Sequence, residues 1–146
     1  MSPFDPEGRR AVAAALESAV PGSVELGALD YVECLLTAFD HEPPRIWAAP
    51  GEWAGPAGDP GPDAPAWLDL GPWERQAWQQ RIADWASVYG RVVAGTADEA
   101  DLRVVHAHAC EATYGDPAYG GNRDGAGWAR IGFPEPLHPP AGARRR

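Results

Sequence analysis

Residues 72–95 read PWERQAWQQRIADWASVYGRVVAG. Trp78, Ile82, Trp85, Tyr89 and Val92 recur at steps of four, three, four and three, an apolar seam suited to packing one helix against another. Asp69-Leu70-Gly71-Pro72 announces this helix, the longest in the chain, and Gly95 stops it after Ala94. Thr96-Ala97-Asp98-Glu99 then matches a capping box, in which the Thr hydroxyl and the Glu carboxylate satisfy exposed backbone donors. A further helix is expected to about Tyr114, with Leu102, Val105, Ala109 and Thr113 along its buried side. Neither alternating strands nor an internal repeat accompanies these patterns, so the fold is expected to be all-α.

Towards the N-terminus the same logic holds. Asp5 is a good N-cap with Pro6 at the first helical position. Val12, Ala15, Leu16 and Ala19 follow helical spacing until Pro21-Gly22. A second helix is expected from about Glu25 to Asp40, with Leu29, Val32, Leu36 and Phe39 in one stripe widened by Ala28, Tyr31 and Leu35. About four helices result. Between them, residues 41–70 carry prolines at 43, 44, 50, 56, 60, 62 and 65, and a loop of that length is functional or disordered. Trp47, Trp53 and Trp67 either anchor it against a partner or pin it to its own domain; both readings stay open.

The chain of 146 residues is long enough for one domain with a modest core. A net charge of −9 argues against nucleic acid and against an anionic membrane surface. Lysine is absent, and Arg144 to Arg146 close a tail, 137–146, expected to fray. No stretch approaches the roughly 20 apolar residues of a membrane span. MSPFDPEGRR lacks the basic region and apolar run of a secretory signal, and Arg9-Arg10 leads into AVAAALESAV, which reads as an amphipathic helix. A cytoplasmic protein is the expectation.

One segment resists periodic reading: EATYGDPAYGGNRDGAGWARIGFPEP, residues 111–136. Glycines at 115, 120, 121, 125, 127 and 132 alternate with Tyr114, Tyr119, Trp128, Ile131 and Phe133. Glycine permits close backbone approach, while large rings left in water cost about 25 cal/mol per Å². Residues 115–136 therefore read as a shaped loop docked on the helices, not as a flexible linker.

Tyr119-Gly120-Gly121-Asn122, Gly127-Trp128 and Ile131-Gly132-Phe133-Pro134 resemble the C-terminal signature of the gluconate 2-dehydrogenase subunit 3 family, with Asp116-Pro117 and Glu111 fitting the same pattern. Val20-Pro21 and Gly27-Ala28 resemble its N-terminal region. The resemblance spans residues about 10–136. It implies a small, non-catalytic accessory subunit that stabilises or matures a larger FAD-dependent dehydrogenase of the glucose–methanol–choline type, with the flavin held by that partner. Export signals of the twin-arginine kind, common in the family, are not evident here. On this reading Tyr119, Gly120, Gly121, Asn122, Trp128, Ile131 and Phe133 form the docking set. Asn122 fixes the loop through its amide, and Gly120 and Gly121 permit the turn.

The rival reading is a stand-alone enzyme, possible with a metal, built on His106, His108, Cys110 and Glu111. Helical geometry splits this cluster, because at about 100° per residue His106 and His108 lie about 160° apart around the helix axis. His106 with Cys110, or His108 with Glu111, share a face; a zinc site needs further ligands. A buried, hydrogen-bonded histidine and packed cysteine thiols are the plainer expectation, and no catalytic or metal residue is assigned. YGGNRDGAG lacks the strand and helix of a dinucleotide site, and without lysine it is no phosphate loop. Asp98, Glu99 and Asp101 suit the positive end of a helix and need no catalytic role.

Overall fold

The computed structural model describes residues 2–42, 44–46, 70–115 and 121–133. The fold is all-α: among these residues there are five α-helices, α1 (Pro6–Ala19), α2 (Ala28–Leu36), α3 (Pro72–Ala94), α4 (Glu99–Tyr114) and α5 (Ala126–Ile131), with two 3-10 turns and no strand. Helix α1 starts as its sequence dictates: the Asp5 carboxylate accepts from the Gly8 N–H at 2.7 Å, and Pro6 needs no donor partner. At the head of α3 the Glu74 carboxylate reaches back to the Gly71 N–H at 2.9 Å.

Three expectations are corrected by backbone chemistry. The second helix is shorter than 25–40, because residues 21–27 are turns that end in Gly27 at φ 101°. It also stops at Leu36, and a 3-10 turn, Ala38–Asp40, replaces its last turn. Thr96 does not cap α4. Its N–H closes the end of α3 on the Arg91 carbonyl at 2.9 Å, so the next helix starts two residues later. Asp98 becomes the N-cap, exchanging hydrogen bonds with Asp101 at 2.9 and 3.1 Å. Finally, Leu102 is exposed; the buried face of α4 is Asp101, Val105, His108, Ala109, Ala112 and Thr113.

Four helices meet in one apolar core. Val12 and Leu16 of α1, Ala28 and Val32 of α2, Val88 and Tyr89 of α3, and Val105, Ala109 and Ala112 of α4 are packed together. Each fully buried Leu or Val side chain contributes about 1.5–3 kcal/mol by leaving water. A second cluster of Ala38, Ile46 and Ile82, flanked by Trp78 and Trp85, extends this core along α3. The expected seam is therefore real, with Ile82 and Tyr89 buried and Trp78, Trp85 and Val92 half-buried. Trp47, Trp53 and Trp67 lie outside the described residues, as does most of the 41–70 loop.

Candidate functional site

The C-terminal segment is laid against the end of α4 by backbone and amide contacts. Asn122 adopts a left-handed conformation (φ 45°) and is fully buried. Its side-chain amide donates to the Gly115 carbonyl at 2.8 Å, and its side-chain oxygen accepts from the Gly127 N–H at 2.7 Å. Its own N–H donates to the Ala112 carbonyl. Asparagine suits the site twice, as it tolerates the left-handed region and carries both donor and acceptor. Gly121 and Gly127 allow the close approach, since a Cβ on either would collide with the Ala112 or Thr113 carbonyl.

Glycine and asparagine here bracket a helix. Arg123–Gly125 form a 3-10 turn, and α5 follows between Gly125 and Gly132, in a stretch expected to be irregular throughout. Trp128 on α5 is half-buried and donates its indole N–H to the Tyr114 carbonyl at 2.6 Å. Its ring lies 6.0 Å from that of Phe133. Arg123 pairs with Asp30 at 2.6 Å and Arg130 with Glu25 at 3.3 Å, tying the segment to α2 and the turn before it. Both pairs are exposed, where such contacts contribute about 0–1 kcal/mol and mainly set orientation.

The docking set named from sequence thus divides. Gly121 and Asn122 face inward, and Trp128 is partly engaged by its own chain. Ile131 and Phe133 face water, 55% and 52% exposed. Tyr119 and Gly120 lie outside the described residues. Tyr114, 38% exposed beside this segment, was missed as a surface residue because helical spacing alone did not show where α5 would stop covering α4.

The histidine cluster separates as helix geometry requires. His108 is 3% exposed, with Nδ1 3.0 Å from the Tyr89 hydroxyl and its ring 4.8 Å from that of Trp85. Burial holds the imidazole below its ordinary pKa and pushes the Tyr89 phenol up, so both stay neutral. His106 is exposed, and its ring nitrogens lie 3.8 and 3.9 Å from the Cys110 sulfur. Partial burial and the nearby Glu111 carboxylate raise the Cys110 thiol, which opposes an activated thiolate. Glu111 accepts from the Tyr31 hydroxyl at 2.9 Å. Cys34 and Cys110 are free, and neither is buried as expected.

Among the described residues no three His, Cys, Asp or Glu side chains come together to hold a metal ion. An open groove of about 360 Å³ is lined by Pro3, Phe4, Gly8, Leu36, Gly90 and Val93; among the described residues Asp5 is its one ionisable neighbour, already serving as a cap. No described helix is long and apolar enough to cross a membrane. Comparison with protein-family models, with curated proteins and with solved structures returns no match.

Proposed function

We propose that the chain is a small, non-catalytic subunit that binds and stabilises a larger FAD-dependent sugar or alcohol dehydrogenase of the glucose–methanol–choline type. The motif resemblance suggests the partner. The observation that carries the docking role is the exposure of Ile131 and Phe133 at the end of a segment locked by a fully buried Asn122. Apolar side chains held in water on an ordered backbone favour association, because covering them releases water and little ordering entropy opposes it. The flavin and its redox chemistry belong to the partner. The small subunit acts by mass action, binding the folded partner and not the unfolded one.

Affinity capture of the native chain, with an absorption spectrum of the material that accompanies it, tests the reading. A stable complex with a flavoprotein is expected. A chain recovered alone, or one that oxidises a sugar or alcohol unaided, would sink it.

A further inference from the structure

One hydrogen-bonded side-chain pair lies in the core and has no part in docking. Tyr89 of α3 is fully buried and His108 of α4 is nearly so, with the Tyr89 hydroxyl 3.0 Å from His108 Nδ1. Both groups rest neutral, so an imidazole with its one proton on Nε2 accepts the phenol's hydrogen bond at Nδ1. Aromatic rings lead outward from this pair. The His108 ring lies 5.8 Å from that of Tyr89 and 4.8 Å from that of Trp85, and Trp85 lies 6.4 Å from Trp78. Trp78 and Trp85 are half-buried, so the row runs along α3 from solvent to the core.

We propose that Tyr89 and His108 form a proton-coupled redox pair, fed through Trp78 and Trp85, that takes up oxidising equivalents from a one-electron oxidant at the surface. The oxidant removes one electron from Trp78 or Trp85, and Tyr89 replaces it. The phenol O–H bond breaks as its proton passes to His108 Nδ1 along the existing hydrogen bond, leaving a neutral phenoxyl radical and an imidazolium. One electron has then gone to the oxidant, and no atom has left the protein. A one-electron donor, ascorbate or a thiolate, reverses the step, with His108 returning the proton.

The surroundings set the direction of transfer. The Arg81 guanidinium lies 5.1 Å from the Trp78 ring centre and disfavours a positive hole there, which drives the hole inward. A phenol that has lost an electron is a strong acid, and here a base stands within hydrogen-bond distance of it. Glu111, one turn beyond His108 on α4, carries a negative charge that favours the imidazolium. Burial keeps the phenoxyl from coupling with other radicals. A purely structural hydrogen bond would need neither the base nor the row of rings, and a non-basic acceptor would serve it as well.

The test is flash oxidation of the purified chain by photogenerated ruthenium(III) tris-bipyridine, followed by transient absorption and electron paramagnetic resonance. The chain carries Tyr31→Phe, Tyr114→Phe and Tyr119→Phe, so that Tyr89 is its only tyrosine. The proposal predicts a tyrosyl radical in this background, with a deuterium-exchangeable proton hydrogen-bonded to its oxygen. Adding Tyr89→Phe should abolish that signal and leave oxidation on tryptophan. His108→Gln keeps a hydrogen-bond acceptor for Tyr89 but is no base, and should slow radical formation at least about 100-fold. Absence of a tyrosyl radical, or an unchanged rate in folded His108→Gln, would overturn the proposal. So would a radical without the exchangeable proton, an outcome read in the background chain whether or not His108→Gln folds. The pair needs only an oxidant at the surface, so these outcomes are separate from those of the flavoprotein reading.

Discussion

Helix α4 is gripped in two different ways along its length. Between Val105 and Ala112 it meets α1, α2 and α3 through apolar side chains. At Ala112 to Gly115 it meets the C-terminal segment through carbonyls, an amide side chain and two glycines. The first contact rests on area removed from water, which tolerates exchange among side chains of similar volume. The second rests on fit, and one added carbon is enough to break it. A region of the second kind holds a surface in a fixed shape without adding much to the core. That is what a docking segment needs.

The contrast can be broken from either side. Leu16→Ala should cost about 4 kcal/mol, because a fully buried side chain is lost from the shared core. Hydrogen exchange should then quicken across α1 to α4 and the C-terminal segment together. Gly127→Ala should cost about 3 kcal/mol by overpacking against the Thr113 carbonyl. Here exchange should quicken in residues 121–133, while Val105 and Ala109 stay protected. Equal loosening of both regions would erase the distinction.

Asn122→Gly sharpens it further. Glycine accepts the left-handed backbone but leaves the Gly115 carbonyl and the Gly127 N–H without their partner. A loss of about 2 kcal/mol, again confined to the segment, is expected. If Asn122→Gly were neutral, backbone geometry alone would explain the asparagine.

The smallest effects come from titration, and they belong to the core side of α4. His108 has a folded pKa below its ordinary 6.5, so the unfolded chain takes up the proton first. Its penalty is absent above pH about 6.5 and grows as pH falls toward the folded value. The melting temperature should decline over that range, and His108→Gln should flatten the decline. Asp101 is held down to about 2 by its hydrogen bonds with Arg91 at 2.7 and 2.8 Å. Its stabilisation is present above the ordinary 3.8 and is lost as pH falls from there through about 2. A second decline in that window, removed in Asp101→Asn, is expected.

Periodicity made the helical core legible. Val12, Leu16, Val32, Ile82, Tyr89, Val105 and Ala109 could be named because helix burial follows spacing. Boundaries were harder where two ends compete for the same residue. Thr96 offers a good cap, yet its backbone is already committed to closing α3, and nothing local announces that. Residues 121–133 contact α4 through Asn122 and Gly127, while α5 was hidden by the glycines that flank it. The division of its side chains was not readable either. Asn122 and Phe133 look alike as members of one motif, but their exposure depends on where Ala112 and Thr113 present their carbonyls, a fact of tertiary geometry. The separation of His106 from His108, in contrast, followed from helix geometry alone.

The most direct test of the docking account is the affinity of the purified chain for the flavoprotein that the proposal assigns to it, measured for the native chain and for Ile131→Asp with Phe133→Asp, beside their melting curves. The account predicts a fall in affinity of at least about 100-fold, near 2.8 kcal/mol, with little change in Tm because both side chains already face water. Unchanged affinity with both charges in place would contradict it.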